Sequence, residues 1–207
     1  MVRLMYKIKD EWGVFLIKLA RTAIEEYLKN GKELEPPQDT PPDLWEKMGV
    51  FVTLNRYNVP PQQALRGCIG FPYPIYPLVI ATIKAAIYAA VDDPRFPPLS
   101  IEELNKITIE VSVLTPPEPV EGPPDERPNK IKVGRDGLIV KKGIYSGLLL
   151  PQVPIEWNWD EEEFLSETCW KAGLSPDCWL DEDTEVYRFT AEIFEEEHPN
   201  GSIKRKL

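Results

Sequence analysis

Histidine is almost absent from this sequence, which contains only His198 among 207 residues. That residue lies near the end of the chain, directly after three glutamates. A zinc site with three histidines, or an iron site with two histidines and a carboxylate, therefore cannot be assembled within one chain. A Ser-His-Asp triad would have to use His198, which we do not expect in such a segment. We predict no metal site.

Cysteine and long hydrophobic runs are also scarce. The chain has three cysteines, Cys68, Cys169 and Cys178, and none of them forms a C-x-x-C motif. This odd number and spacing predict neither a disulfide framework nor a zinc knuckle. The longest apolar stretch, residues 77–91, contains Lys84 and is too short to cross a bilayer. Residues 1–12 lack the apolar core of a signal peptide. These absences together predict a soluble protein of a reducing compartment, the cytoplasm.

Acidic residues and proline are abundant. Lys and Arg total 24 against 34 Asp and Glu, so the formal net charge is -10. A general affinity for nucleic acid is disfavoured, because neutralising phosphates requires a basic face. The 22 prolines are roughly twice the average usage, and many fall in pairs between apolar segments. Such stiffened loops are typical of a heat-stable protein.

Hydrophobic periodicity predicts an α+β fold of mostly antiparallel sheets with flanking helices. Helices are predicted at Asp10–Asn30, Pro74–Val91 and Asp160–Gly173, and strands at Gly49–Leu54, Gln62–Gly70, Ile107–Val113, Ser146–Val153 and Val186–Ile193. Residues 131–133 and 138–140 predict a further hairpin, with an Asp-Gly turn signal between them. A flexible tail is predicted at residues 195–207. Patterning shows no boundary between domains within 1–207.

The segment Leu65–Gly70 is the first candidate site. It ends a predicted strand and carries Gly67 and Gly70, which let a backbone or a ligand approach closely. Arg66 supplies a cation that can bind an anion, and Cys68 is a candidate nucleophile if Arg66 or the following helix start lowers its thiol pKa. In the alternative interpretation, Cys68 is a small buried side chain and the glycines only bend the strand.

Two further segments carry candidate polar groups. Asp93 and Arg95 flank a proline after the predicted buried helix, where they either bind a ligand or form a structural turn. Glu110 is the one acid in an alternating strand, on the same face as Thr108 and Ser112. It is either an exposed carboxylate or an acid that lines a cleft with one of the arginines.

The apolar segment 147–153 contains a single amide, Gln152. A buried Gln152 requires hydrogen-bond partners, and a ligand is one possible partner. Cys169 and Cys178 are interpreted as core residues rather than reactive thiols. The basic end, residues 204–206, is interpreted as a solvated tail.

Taken together, these segments resemble the AMMECR-domain family. The resemblance rests on the hallmark Leu65-Arg66-Gly67-Cys68-Ile69-Gly70 and on further matching segments that extend from about residue 10 to residue 194: residues 49–54, 93–99, 110–114, 147–153 and 164–174. The resemblance implies two unequal α+β subdomains with a cleft between them, lined by the hallmark segment. It implies no established activity. Prokaryotic members are often encoded beside a Memo-like protein and a radical S-adenosylmethionine protein, so it also implies that this chain is one part of a three-protein system.

Two functions are compatible with these observations. In the first, the chain is a binding or accessory module with an anion or small-ligand cleft at Leu65–Gly70. In the second, it is an enzyme in which Arg66 binds an anionic substrate group, Cys68 acts as nucleophile or redox thiol, and Glu110 or Asp93 serves as acid or base. The absence of a usable histidine counts against the second, because the thiol lacks its usual base. Neither hypothesis specifies a cofactor.

Overall fold

The computed structural model describes residues 8–206. The chain forms two compact units: unit 1 comprises the described parts of Met1–Leu114 and Glu192–Leu207, and unit 2 comprises Thr115–Ala191. The α-helices are α1 (Asp10–Asn30), α2 (Pro61–Ala64), α3 (Leu78–Val91), α4 (Ile101–Leu104), α5 (Arg127–Lys130), α6 (Val153–Trp157) and α7 (Glu161–Lys171). The strands are β1 (Gly49–Arg56), β2 (Leu65–Phe71), β3 (Ile107–Leu114), β4 (Glu118–Pro119), β5 (Asp136–Lys142), β6 (Tyr145–Leu149), β7 (Glu185–Glu196) and β8 (Ile203–Arg205). The predicted antiparallel α+β class is confirmed.

Unit 1 is an antiparallel sheet covered on one face by two helices. Strand β1 lies between β2 and β3, so β2 is an edge strand. Alternate residues of β1 (Val50, Val52 and Leu54) are fully buried against the core to which α1 and α3 contribute. Helix α3 is buried nearly all round, as its apolar composition predicts. No helix within residues 8–206 is long and apolar enough to cross a membrane.

The end of the chain is anchored to unit 1 rather than forming a flexible tail. Strand β8 pairs with the end of β7, and Arg205 forms an ion pair with Asp10. In the interior, the Arg21 guanidinium donates to both carboxylate oxygens of Glu196 at 2.7 and 2.5 Å. The prediction of a flexible tail at 195–207 is therefore wrong for the described residues of this segment, because its charged side chains have partners that are distant in sequence.

Unit 2 combines strands β4, β5 and β6 with the part of β7 before residue 192, packed with helix α7. Its core includes Leu138, Phe164 and Leu165. Cys169 and Cys178 form a disulfide within this core, which the number and spacing of the cysteines do not indicate. The end of α7 folds back on residues 178–180, and this brings together two thiols that lack any recognised spacing motif. Both cysteines are buried, in agreement with their interpretation as core residues.

Several predicted boundaries differ from the structure. The strand predicted from Gln62 begins only at Leu65, because residues 61–64 form α2. Asp136 and Gly137 begin strand β5 instead of forming a hairpin turn, because the Asp136 carboxylate accepts the Lys132 backbone N–H at 2.9 Å and closes an earlier turn. The predicted strand 146–153 ends at Leu149, and α6 begins at Val153. Helix α3 begins only at Leu78, after the predicted start at residue 74.

Candidate functional site

Arg66 lies at a bulge in the edge strand β2. The register between β1 and β2 steps from Leu54 opposite Gly67 to Asn55 opposite Leu65, which leaves Arg66 as the extra residue. A bulge redirects the side chain of its extra residue and interrupts regular pairing. This local geometry directs a long charged side chain into the protein.

The Arg66 side chain is only 2% exposed and is held by one carboxylate. Its Nε and Nη2 atoms donate to the two oxygens of Glu103, each at 3.1 Å. Glu103 also accepts the Ser100 backbone N–H and so completes the capping box of α4. The hydrogen bonds from Arg66 lower the pKa of Glu103, so this carboxylate stays charged. The Arg66 Nη1 atom is buried and has no hydrogen-bond partner among residues 8–206.

Three arginines surround the ring of Phe96. The guanidinium carbons of Arg56 and Arg66 lie 5.9 Å from the ring centroid, and that of Arg95 lies at 5.5 Å. Arg56 donates to two main-chain carbonyls and has no carboxylate within ion-pair distance in the described part of the chain. Within residues 8–206, Glu103 and Asp93 are the only carboxylates that form ion pairs with these three cations, so ion pairing leaves one positive charge unbalanced.

Asp93 and Arg95 bind the backbone of Cys68 on the open edge of β2. The Asp93 carboxylate accepts the Cys68 N–H at 2.9 Å, and Arg95 Nη2 donates to the Cys68 carbonyl at 3.3 Å. Arg95 also donates to both carboxylate oxygens of Asp93. Burial alone would raise the pKa of Asp93, but these hydrogen bonds outweigh it and lower the pKa to about 2. The pair therefore caps the edge strand as a neighbouring strand would.

The Cys68 side chain belongs to a row that crosses three strands. Thr53 in β1 is paired with Cys68 in β2 on one side and with Glu110 in β3 on the other. The Thr53 hydroxyl donates to Cys68 Sγ at 3.3 Å. Glu110 is 4% exposed and forms an ion pair with Lys206 at 3.1 Å. Alternation correctly places Glu110 away from the helix-covered face, but the interpretation of an exposed carboxylate is wrong because this face is covered as well.

The surroundings of Cys68 do not favour a thiolate. Part of the Cys68 residue is accessible, but the packed atoms around its sulfur remove enough water for desolvation to be the largest effect, and this raises the pKa of the thiol. The hydrogen bond from Thr53 and the charge of Arg95 offset this increase only in part. The charges of Glu110 and Asp93 raise this pKa further. Arg66, which the sequence suggested as the activating cation, is bound to Glu103 instead, and Arg95 is the arginine that acts on the thiol.

The two glycines of the segment are packed against the protein's own backbone. A Cβ atom at Gly67 would lie 2.1 Å from the Ala89 carbonyl oxygen in α3, and one at Gly70 would lie 2.3 Å from the Val50 carbonyl oxygen. Both glycines therefore allow another group to approach the strand closely, as predicted, but that group is the backbone of this chain and not a ligand. This packing accounts for both glycines without a ligand.

The remaining predicted residue, Gln152, belongs to unit 2, where it is buried immediately before α6. Its role in ligand binding stays a prediction. Sequence reasoning missed Arg56 and Glu103, which are distant from the hallmark in sequence. The only signal for Glu103 was its position three residues after Ser100, typical of a capping box. Within residues 8–206, no three His, Cys, Asp or Glu side chains are grouped so that they could hold a metal ion.

Comparison with known proteins gives three consistent findings. A family model described as AMMECR1 matches residues 17–194. Protein PH0010 of Pyrococcus horikoshii is 81% identical over 203 residues, which covers 98% of each chain, and a protein of Thermofilum pendens is 55% identical over 209 residues with the same coverage. A crystal structure of PH0010 is similar with a TM-score of 0.96 and 82% identity, and covers 97% of this chain and 99% of that one. The names of these relatives state no activity, ligand or partner.

Proposed function

The chain belongs to the AMMECR1 family, and from that premise we propose that it is a binding or accessory module that holds a small anion at the hallmark segment Leu65–Gly70. The observation that carries the proposal is the buried, unpartnered Nη1 of Arg66. A buried donor without an acceptor costs about 1–3 kcal/mol, and more when it belongs to a charged group. An anion oxygen removes that cost.

The neighbouring charges support the same ligand class. Arg56, Arg66 and Arg95 lie around Phe96 with only two balancing carboxylates, so an added negative charge is attracted rather than repelled. Glu103 occupies the other donors of Arg66 and holds the guanidinium in place before the ligand arrives. A preorganised donor loses little conformational entropy on binding.

Crystals soaked in sodium selenate test this proposal, because selenate is an anion whose selenium is located by anomalous scattering. We expect a selenate oxygen within hydrogen-bond distance of Arg66 Nη1. Arg66→Lys keeps the charge but removes Nη1, and should abolish this peak. Arg188→Lys makes the same exchange in unit 2 and should retain it. An ordered water at Nη1 in saturating selenate would contradict the proposal.

The partners of the module follow from the family resemblance alone. We propose that it works in the cytoplasm with a Memo-like protein and a radical S-adenosylmethionine protein. Co-expression of the three chains, followed by affinity purification through a tag on this one, tests the association. Recovery of both partners in fixed proportion is expected. Separate elution of all three at micromolar concentration would contradict it.

The alternative function is an enzyme that uses Cys68 as nucleophile or redox thiol. The hydrogen bond from Thr53 and the nearby charge of Arg95 favour it, since both lower the thiol pKa. Burial opposes them and is the larger effect. Glu110, the proposed acid or base, is held by Lys206. We therefore place this alternative second, and the reactivity of the thiol distinguishes the two.

A further inference from the structure

Unit 2 contains a pocket of about 770 Å³ that none of the hallmark residues lines. This volume lies within the range of about 300–1,000 Å³ typical of small-molecule sites. Four cationic side chains reach it from different parts of the unit: Lys130 from the end of α5, Lys132 and Arg135 from the turn that follows, and Arg188 from β7. Such a concentration of positive charge is unusual for a chain of net charge -10.

Three of these cations form ion pairs, one of them long, and the fourth has none among the described residues. Lys130 forms an ion pair with Glu126 at 2.8 Å, and Arg135 forms one with Asp136. Lys132 is exposed, and its ammonium has no partner in the described part of the chain. Arg188 donates to the Lys130 carbonyl at 2.5 Å, while its nearest ion-pair carboxylate is 4.0 Å away. A phosphate that contacts Lys132 meets an unpaired cation, and at Arg188 it competes only with the long ion pair to Glu118.

The pocket also has acceptors and an apolar wall. Glu161 uses one carboxylate oxygen to accept the Val133 N–H at 3.2 Å, and its other oxygen makes no hydrogen bond within residues 8–206. Glu121 lines the same pocket and is exposed. Both carboxylates suit hydroxyl donors of a ligand rather than its anionic group. Val120 and Ile131 supply apolar surface.

We propose that this pocket binds a small phosphorylated molecule that carries hydroxyl groups, such as a sugar phosphate. A phosphate presents three acceptor oxygens in a tetrahedral arrangement, which suits cations that approach from several directions, whereas a carboxylate is planar and is held by one arginine fork. The phosphate lies between Lys132 and Arg188, with the free Nη1 of Arg135 beside it. The hydroxyl groups donate to Glu121 and Glu161.

Isothermal titration calorimetry of the full chain with ribose 5-phosphate tests the proposal. We expect saturable binding to the wild type and about tenfold weaker binding to Lys132→Gln, because one charge-assisted contact is lost. Lys132→Gln should fold normally, since this side chain is exposed. The matched control is Lys171→Gln, which removes an exposed lysine of the same unit outside the pocket and should leave binding unchanged.

The component ligands test the hydroxyl contacts. Inorganic phosphate should bind more weakly than ribose 5-phosphate, and ribose alone should show no binding. Equal affinity for phosphate and ribose 5-phosphate would overturn the hydroxyl contacts, and equal weakening in the two lysine variants would overturn the assigned pocket. The absence of any binding at millimolar ribose 5-phosphate would overturn the proposal altogether. Arg66→Lys should leave this binding intact, so the result does not depend on the anion site of unit 1.

Discussion

Replacement of Gly67 by alanine tests how closely strand β2 packs against helix α3 at the candidate anion site. A methyl group at this position would lie 2.1 Å from the Ala89 carbonyl oxygen, where ordinary van der Waals contact begins at 3.4 Å. The obstructing atom belongs to the helix backbone, so no side-chain rotation removes the clash. Strand and helix must therefore separate by about an ångström, as overpacked interiors do.

The expected destabilisation follows from this displacement. Overpacking costs about 1–3 kcal/mol, and a clash of this depth between two backbones belongs at the upper end, at about 3 kcal/mol. For a chain of this length, that loss corresponds to a Tm lower by about 6–12 °C. Arg66 and Cys68 flank the displaced residue, so selenate binding at Arg66 should be lost as well.

Guanidinium chloride unfolding followed by circular dichroism measures the loss of stability. The matched control is Gly143→Ala, where the backbone φ is 59° but nothing lies within 4 Å of the added methyl group. This control measures only the conformational preference of glycine, about 1 kcal/mol. If Gly67→Ala loses no more stability than Gly143→Ala, the inferred close contact between β2 and α3 is refuted.

Three further predictions concern acid stability, thiol reactivity and the disulfide. The pKa of Asp93 is about 2 in the fold against an ordinary 3.8, so its stabilising contribution is present above about pH 4 and is lost as the pH falls toward 2. In urea unfolding, Asp93→Asn should reduce the loss of unfolding free energy between pH 4 and pH 2 by about 2 kcal/mol. An unchanged loss would contradict the low pKa of Asp93. Because burial raises the pKa of Cys68, iodoacetamide should alkylate it more slowly than glutathione at pH 7, with Cys68→Ser as the unlabelled control; a faster reaction would instead support the enzyme hypothesis. Cys178→Ser opens a disulfide between cysteines nine positions apart and should cost about 3 kcal/mol in thermal unfolding, whereas an unchanged Tm would show that the bond adds no stability.

The elements that were predicted accurately are those whose signals are local. Helix α1 runs from Asp10 to Asn30 as predicted, because its apolar stripe lies within the segment and the Gly31 stop follows it directly. Strand β3 begins at the predicted residue and ends one residue later. Ser100 and Asp160 both form capping boxes, which depend on local sequence because a cap bonds to a residue only three positions away.

The errors concern features that depend on distant residues. Asp136-Gly137 has the composition of a turn, yet pairing with β7 draws it into a strand. Residues 204–206 look like a solvated basic tail, but acidic partners such as Glu110 lie far away in sequence. The disulfide was missed for the same reason, because the spacing of Cys169 and Cys178 indicates nothing until α7 and the residues after it pack together.

The candidate site shows the same division between local and distant information. Residue types alone identified Arg66, Cys68, Asp93 and Arg95, and the matched segments identified the family. The pairing of these residues was not predictable. The bulge at Arg66, its bond to Glu103 and the unpartnered Nη1 all depend on a register shift and on a helix 37 residues further along the chain.

The sequence by itself determined the α+β class and the segment in which to look for a site, because composition and periodicity are properties of the chain alone. Only the tertiary structure decided which charges are neutralised, which remain available and which thiols meet. Burial and partner choice are set by residues far apart in sequence, and the free energy of a charged group depends on both.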